Sequence, residues 1–222
     1  MTKKLIIFCD FDGTITTSDN IIAIMKHFAP PEWEKIKDQI LAQDISIREG
    51  VGALFQTLPS EKKNEIQQFL FEHAVIREGF DDFAAYTRKE KIELKIVSGG
   101  IDFFVYPLLE KYGLEQHIYC NGSDFSGERI RITWPYPCDE NCTNDCGCCK
   151  PSILRHYPDD DYFKVVIGDS VTDLEAAKIA DQVFACDDYL ATKCEELDLP
   201  YKRFHSFHEV IRSLNLLKEV AM

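Results

Sequence analysis

Four short apolar segments, each followed directly by small or acidic polar residues, recur along the chain. They are LIIFC at 5–9, ELKIV at 93–97, KVVI at 164–167 and QVFAC at 182–186. Each is four or five residues long, rich in β-branched or aromatic side chains, and does not alternate with polar positions. This pattern is typical of a strand that is buried on both faces of a parallel sheet.

Segments with helical periodicity separate these strands; they include 101–112, 172–180 and 206–220. The first ends at Gly113, which suits a helix C-terminus, and the last begins with a capping box of Ser206 and Glu209. Alternating strands and helices predict an α/β fold with a doubly wound, Rossmann-like parallel sheet. Because ligands bind beyond the carboxyl ends of such strands, we expect the polar residues that follow the four strands to meet at one edge.

The spacing between the strands is uneven. About eighty residues separate the first two strands, far more than one crossover helix needs. Helical patterns fill this interval at 19–28, 31–42, 46–58, 60–73 and 79–90, of which the last is assigned to the core. We therefore predict a helical cap at 16–76, inserted into a core domain made of 1–15 and 77–222. Between 119 and 134, Ser126-Gly127 predicts a β-hairpin.

Composition and charge exclude several classes of protein. The 222 residues are 45% hydrophobic and carry a formal net charge of −13, so a sizeable core is available and nucleic acid is a poor partner. Apolar runs all fall short of the ~20 residues that a membrane span needs, so no membrane partner is expected. Five of the nine cysteines crowd into 138–149, unlike an exported disulfide scaffold, which favours the cytoplasm. The sequence does not indicate an oligomeric state.

Candidate chemistry follows the strands. Asp10 and Asp12 come directly after the first strand, and Asp169 follows the third. Like charges this close need a cation between them, a shared proton or solvent. The oxygen-only ligand set suits Mg²⁺, which takes one or two carboxylates together with water and phosphate oxygens.

Two further segments predict an anion site. Ser98, Gly99 and Gly100 follow the second strand and would offer a hydroxyl and open backbone N–H groups at a helix N-terminus. Lys150 precedes Pro151, which suits a first helical turn, and its ammonium group suits a phosphate. Each feature alone has a plainer explanation as a turn, a loop or a solvated side chain. In this order, however, the segments are hard to produce by accident.

These motifs resemble those of the haloacid dehalogenase-like phosphohydrolases, and the resemblance covers essentially the whole chain. The matching residues are Asp10, Asp12 and Thr14, then Ser98, then Lys150, then Asp169 and Asp173. The resemblance implies that Asp10 attacks phosphorus and forms an aspartyl-phosphate, while Asp12 acts as general acid and base. It also implies that Mg²⁺ is held by the Asp10 carboxylate, the Asp12 backbone carbonyl and Asp169, with Lys150 as a further catalytic residue and Asp173 in support. Thr14, Ser98, Gly99 and Gly100 would then bind the substrate.

The position of the helical cap resembles the branch of the family that includes phosphoserine phosphatase, which implies a small phosphorylated metabolite as substrate. A closer resemblance, to the phosphatases of methionine salvage, is carried by FCDFDGTIT, SIREGV, IVSGG, CGCCKP and IGDSVTDLEAA. The expected substrate rests on that resemblance alone. Arg48, two residues after the predicted helix cap Ser46, is expected to contact substrate or to help close the cap, although a solvated arginine fits equally well.

Two other functions remain open, that of a phosphoserine phosphatase and that of a phosphoacceptor signalling module. Phosphoserine phosphatases place an acidic residue just after the first motif, whereas this chain has Ile15-Thr16-Thr17 there. A phosphoacceptor signalling module would also cluster aspartates, a hydroxyl and a lysine around Mg²⁺. Such modules are shorter, lack a cap and lack a carboxylate at the position of Asp12, which can activate water.

The segment CDENCTNDCGCC has three interpretations. Its cysteines are Cys138, Cys142, Cys146, Cys148 and Cys149. They could form a structural zinc loop, hold a local disulfide, or pack as free thiols. Adjacent Cys148 and Cys149 cannot easily both face one tetrahedral metal, and the spacing lacks paired C-x₂-C motifs, which counts against zinc.

Overall fold

A computed structural model describes residues 3–114 and 117–221, with backbone alone for 218–221. Seven strands form one sheet in the order β4-β3-β2-β1-β5-β6-β7. The strands are β1 (Lys4–Cys9), β2 (Glu93–Ile101), β3 (Ile118–Asp124), β4 (Arg131–Thr133), β5 (Tyr162–Gly168), β6 (Gln182–Ala185) and β7 (Tyr201–Arg203). All neighbouring pairs are parallel except β3 and β4. The predicted α/β, Rossmann-like fold is confirmed.

Helices connect the strands as the alternation predicted. They are α1 (Asn20–Phe28), α2 (Trp33–Leu41), α3 (Ile47–Gln56), α4 (Lys63–His73), α5 (Phe80–Lys89), α6 (Asp102–Leu109), α7 (Lys150–Arg155), α8 (Val171–Ala177), α9 (Asp188–Glu196) and α10 (Phe207–Ala221). Within the described residues, none of the helices is both long and apolar enough to cross a membrane.

Both faces of the central strand β1 are buried, which explains why polar and apolar residues do not alternate along it. Ile7 and Cys9 join one hydrophobic cluster, whereas Ile6 and Phe8 join another. Both sets are almost fully buried, so each face of the strand packs against apolar side chains. Burying a side chain of this size contributes about 1.5–3 kcal/mol. The strand therefore lies rigidly in the middle of the sheet, and the residues that follow it are held in place.

The end of β2 differs from its prediction. The strand runs on to Ile101, and its pairing with β3 shifts register between Val97 and Ile101. Ser98, Gly99 and Gly100 therefore lie in the irregular end of a strand, while α6 begins only at Asp102. The expectation that these residues form a helix N-terminus is wrong, because the strand recovers its pairing with β3 before the helix starts.

Two of the predicted helix ends are confirmed, and a third differs from its prediction. The capping box of Ser46 and Glu49 is present at α3, and Gly113 adopts φ +65° after a short 3₁₀ turn that follows α6. At α10 the Glu209 carboxylate accepts a hydrogen bond from the N–H of His205, one residue before the predicted partner Ser206. The predicted hairpin is confirmed as the antiparallel pair β3 and β4.

Helices α1 to α4 all lie between β1 and β2 in the chain. The segments that lead into and out of this helical region pair with each other: Thr16 bridges Ile76, and the Thr17 N–H donates to the carbonyl of Val75 at 2.9 Å. A second contact joins the region to the hairpin, where Pro59 bridges Arg129. The helical region is thus fixed to the sheet both at its base and at the hairpin.

Candidate active site

The strand order reverses its direction at β1, because β2 lies on one side of it and β5 on the other. The carboxyl ends of two such strands flank the crevice where ligands bind in doubly wound sheets. Asp10 follows β1 and Asp169 follows β5, so both carboxylates lie at this crevice. The Asp10 N–H donates to the carbonyl of Ile167 at 2.9 Å, which ties the two strand ends together.

A turn at Gly13 brings these strand ends close. Gly13 has φ +78°, a left-handed conformation that favours glycine. A Cβ atom at this position would lie 2.2 Å from Oδ2 of Asp169. Residue 13 therefore has to be glycine for both its backbone conformation and its contact with Asp169.

Lys150, the first residue of α7, is buried between two carboxylates. Its Nζ lies 2.8 Å from Oδ1 of Asp10 and 2.5 Å from Oδ1 of Asp173. Burial alone would lower the pKa of the ammonium group, but Asp10 and Asp173 outweigh it and raise the pKa of Lys150. Lys150 is therefore a fixed positive charge at the end of β1.

Asp173 and Thr14 complete the frame around Asp169. The second carboxylate oxygen of Asp173 accepts hydrogen bonds from the N–H groups of Asp169 and Ser170, each at 3.1 Å. The Thr14 hydroxyl donates to Oδ1 of Asp169 at 3.1 Å. Asp173 thus orients both Lys150 and the backbone of Asp169.

The carboxylates of the site are hard to ionise. Burial raises the pKa of Asp10 to about 6, with Asp173 adding to the shift and Lys150 opposing it. Burial, followed by the charges of Asp10 and Asp173, raises the pKa of Asp169 to about 9. Burial and the charges of Asp19 and Asp10 raise the pKa of Asp12 well above its usual range. Negative charge in this site exceeds what Lys150 alone balances.

Oxygen atoms of Asp10, Asp169 and Asp173 all lie within 4.8 Å of one another. Both oxygens of Asp173 already accept hydrogen bonds from Lys150 and from backbone N–H groups, so Asp10 and Asp169 provide the hard oxygen ligands that Mg²⁺ prefers. Asp12 has a different surrounding: its Oδ1 accepts hydrogen bonds from Nδ2 of Asn20 at 2.6 Å and from the backbone N–H of Asn20 at 3.1 Å. The residues present therefore fit a divalent cation beside Asp10, with the Asp12 side chain held by Asn20.

The end of β2 lies beside Asp12. The Gly100 N–H donates to the buried hydroxyl oxygen of Ser98 at 2.9 Å. A Cβ atom at Gly100 would lie 2.7 Å from Oδ2 of Asp12 and 3.0 Å from Oγ of Ser98. A Cβ at Gly99 would meet no atom within 4 Å, so Gly99 borders open space. The side of the site formed by β2 thus has room for a ligand.

Arg48 has its described contacts outside this carboxylate cluster. Its Nη1 lies 3.2 Å from Oδ1 of Asp145, and its guanidinium lies over the ring of Trp134 at 5.7 Å from the ring centroid. Arg48 therefore joins α3 to the cysteine-rich segment. Its predicted contact with substrate remains a prediction.

Three residues of the site were not predicted from the sequence. Asn20 binds Asp12; Arg77 donates to the carbonyls of Thr14 at 2.7 Å and Gly13 at 2.6 Å. Asn121 donates to the carbonyl of Gly99 at 2.7 Å and leaves its buried Oδ1 without a partner. Asn20 falls in the helical pattern predicted at 19–28, which gave no signal of its contact with Asp12.

Comparisons with known proteins agree with this geometry. Residues 7–178 match the family model described as haloacid dehalogenase-like hydrolase. The chain is 58% identical, over 100% of both chains, to 2-hydroxy-3-keto-5-methylthiopentenyl-1-phosphate phosphatase of Geobacillus thermodenitrificans (strain NG80-2). It is 59% identical to the protein of the same name from Geobacillus kaustophilus (strain HTA426), over 99% of this chain and 100% of that one.

Solved structures share the fold at lower identity. A phospho-aspartyl intermediate analogue of phosphoserine phosphatase superposes with a TM-score of 0.70, at 21% identity, and covers 96% of this chain and 99% of that one. A substrate-bound phosphoserine phosphatase complex gives the same TM-score at 20% identity, with the same coverage of both chains.

Proposed function

The chain belongs to the haloacid dehalogenase-like hydrolases, and from this premise we propose that it removes phosphate from 2-hydroxy-3-keto-5-methylthiopentenyl-1-phosphate, a step of methionine salvage. It is a phosphoric monoester hydrolase. The observation that carries the substrate is the 58–59% identity, over essentially whole chains, to relatives named for this reaction.

Asp10 is the nucleophile of this proposal. Its carboxylate is buried at the strand end and lies 2.8 Å from the ammonium group of Lys150. An Asp10 oxygen attacks phosphorus, the bond from phosphorus to the ester oxygen of the substrate breaks, and an aspartyl-phosphate remains. A carboxylate nucleophile thus divides a difficult hydrolysis into two easier displacements.

Asp12 is the general acid and base. Because burial raises its pKa, the protonated carboxyl can give its proton to the departing ester oxygen. In the second step the Asp12 carboxylate takes a proton from water, whose oxygen attacks phosphorus and releases phosphate and free Asp10. Hydrogen bonds from Asn20 hold the Asp12 side chain for both transfers.

Groups around Asp10 bind the transferred phosphoryl oxygens. Lys150 supplies a fixed positive charge, and the hydroxyl of Ser98 with the backbone at Gly99 and Gly100 lines the open side. Thr14 holds Asp169 through its hydroxyl. Phosphoryl transfer needs mainly alignment and neutralisation of charge, which these groups provide.

We propose Mg²⁺ as the cofactor, held by the carboxylates of Asp10 and Asp169 and by the backbone carbonyl of Asp12. When bound, the ion would neutralise negative charge on the phosphoryl oxygens and on the clustered carboxylates. The close approach of carboxylate oxygens from Asp10 and Asp169 supports this assignment. Chelation should abolish activity and Mg²⁺ should restore it, whereas Ca²⁺ should inhibit because its coordination is longer and looser. Full activity after exhaustive chelation would refute the assignment.

Residues 16–76 act as a cap over this site in the proposal. The pairing of Thr16 with Ile76, at the base of the helical region, supports those limits. A lid of this kind excludes water and favours small substrates. We further propose the cytoplasm as compartment, because the nine cysteines are all unpaired thiols.

Substrate competition tests the function. We expect the kcat/KM for 2-hydroxy-3-keto-5-methylthiopentenyl-1-phosphate to exceed that for phosphoserine by at least about 100-fold, a difference of about 2.7 kcal/mol in transition-state binding. Release of inorganic phosphate over many turnovers measures both. A higher kcat/KM for phosphoserine would favour the alternative enzyme, and a single phosphorylation without turnover would favour a signalling module.

A further inference from the structure

The segment between β4 and α7, residues 134–149, brings four cysteine sulfurs together. The Sγ atoms of Cys138, Cys142, Cys146 and Cys149 all lie within 4.8 Å of one another. None of the four is in a disulfide. Cys138, Cys142 and Cys146 are only partly buried, so filling space in a core does not account for them.

The spacing of the sulfurs fits a tetrahedral metal. Zinc–sulfur bonds of about 2.3 Å with tetrahedral angles place neighbouring sulfurs about 3.8 Å apart. The Sγ atoms of Cys142 and Cys146 lie 3.8 Å apart. A disulfide would need about 2.05 Å between its two sulfurs and would leave the other two thiols unused.

Cys148 is not one of the four clustered cysteines. The adjacent residues Cys148 and Cys149 therefore do not have to bind the same metal, which was the objection to zinc in the sequence. The Sγ of Cys148 donates to the carbonyl of Tyr119 at 3.6 Å and is not among the four clustered sulfurs. The remaining ligands then include one C-x₂-C pair, Cys146 and Cys149, with Gly147 between them at φ +80°. This left-handed residue turns the chain so that the two sulfurs reach one point.

Neighbouring groups stabilise the sulfurs. The Ser152 hydroxyl donates to Sγ of Cys149 at 2.9 Å, and the N–H of Cys146 donates to Sγ of Cys138 at 3.4 Å. Asp139, next to Cys138, pairs with the guanidinium of Arg155 in two hydrogen bonds at 2.6 and 2.7 Å. The two hydrogen bonds to sulfur are of the kind that orients thiolate ligands and tunes their affinity for metal. The pair of Asp139 and Arg155 holds the loop next to Cys138 against α7.

We propose that Cys138, Cys142, Cys146 and Cys149 bind one structural Zn²⁺. Four soft thiolates in tetrahedral positions select zinc over the hard cations that suit carboxylates. The site is separate from the carboxylate cluster and does not depend on the proposed substrate.

The zinc site would anchor two functional parts. Cys149 directly precedes Lys150, so the metal fixes the start of α7. Asp145, within the same loop, accepts a hydrogen bond from the Ser46 hydroxyl at 2.7 Å, and its carbonyl accepts the N–H of Arg48 at 3.2 Å. The bound zinc thus holds the loop that joins Lys150 to the N-terminus of α3.

Metal analysis of the full-length protein, purified without chelator, tests this site. We expect one zinc per chain in the wild type and less than a tenth in Cys146→Ser. Cys148→Ser is the matched control, since it removes a thiol two positions away that faces Tyr119, and it should keep one zinc. Asp169→Asn should also keep it, which separates this site from the carboxylate cluster. Less than a tenth of an equivalent in the wild type would overturn the proposal, as would zinc retained by Cys146→Ser or lost by Asp169→Asn.

A second measurement, made on the wild type, tests the zinc site even if the Cys146→Ser protein fails to fold. Replacing zinc by Co²⁺ in the wild type should give the charge-transfer and ligand-field absorption of a tetrahedral tetrathiolate site. Four thiols should become reactive towards a thiol reagent only when the metal is released. Cobalt-loaded protein without thiolate-to-cobalt charge-transfer absorption, or an equivalent of iron in place of zinc in the purified protein, would refute the assignment.

Discussion

The two carboxylates that contact Lys150 have different roles in this site. The ammonium group of Lys150 contacts Asp10 and Asp173, but these two carboxylates are held differently. Asp173 also accepts two backbone N–H groups and has no oxygen left for chemistry. Asp10 is buried at the end of β1 and contacts Lys150 through Oδ1. Asp173 therefore positions the lysine, and Asp10 is the carboxylate assigned to react.

Replacing Asp12 by Asn tests its role in proton transfer. The amide oxygen can still accept the hydrogen bonds from Asn20, so the fold should be kept. The amide cannot donate or take a proton, so kcat should fall by about 10²- to 10⁴-fold. Steady-state kinetics with a thermal-unfolding control measures this. A kcat within threefold of the wild type would remove Asp12 from the mechanism.

Ionisation of Asp169 should make the stability of the folded protein depend on pH. The pKa of Asp169 is raised from 3.8 to about 9 on folding, so the folded protein holds this proton more tightly than the unfolded chain does. Stability in chelator should therefore fall as pH rises from about 4 to 9. Asp169→Asn cannot ionise, so its Tm should match that of the wild type near pH 4 and exceed it by about 2–4 °C at pH 8.5, for a gain of about 1 kcal/mol.

Added Mg²⁺ provides the control for that experiment. It should raise the Tm of the wild type at pH 8.5 and raise that of Asp169→Asn much less, because one ligand is missing. A lower Tm for Asp169→Asn in chelator at pH 8.5 would contradict the charge imbalance described for this site.

At the scale of elements, strands were easier to predict than the details of their ends. Strands β1, β2, β5 and β6 are apolar on both faces and could be recognised from sequence. Strand β7, Tyr201–Arg203, was missed because it has three residues, mostly polar and at the sheet edge. The course of Ser98 to Gly100 was also missed, since it depends on where β2 regains its pairing with β3.

The candidate site followed from the same strand ends. Asp10 and Asp169 could be placed together because each follows a central strand, and Lys150 because it begins a helix. Asn20 and Arg77 could not, because their contacts depend on how the helical region folds back over the turn after β1. No local sequence pattern encodes those distances.

Helix α3 carries a prediction on Arg48. Its ion pair with Asp145 is about half exposed on both sides and should contribute only about 0–1 kcal/mol to stability. If Arg48 reaches substrate when the cap closes, Arg48→Ala should raise KM several-fold and change the Tm by less than about 3 °C. Arg129→Ala is the control, because this arginine donates to the carbonyl of Thr57 in the helical region and its loss should leave KM unchanged. An unchanged KM in Arg48→Ala would make Arg48 a surface residue.

For the whole molecule, charge and architecture act together. The protein carries a formal net charge of −13, yet its substrate is a phosphate ester. A locally positive, enclosed site is therefore needed, and Lys150 and the proposed metal ion supply that charge at the switch point of the sheet. The helical region, fixed at Thr16 and Ile76 and at the hairpin, would close over that point. Such closure would give an enclosed crevice in which the Asp10 carboxylate can react.

Trapping the phosphorylated enzyme tests the role of Asp10 as nucleophile most directly. The wild-type protein with Mg²⁺ is mixed with substrate, quenched in acid within one turnover, and digested for mass spectrometry. We expect a phosphoryl group on the peptide that contains Asp10, formed and lost at rates no slower than kcat, and neither phosphorylation nor turnover in Asp10→Asn. Phosphate release by Asp10→Asn at a wild-type rate, or phosphorylation at another residue, would contradict it.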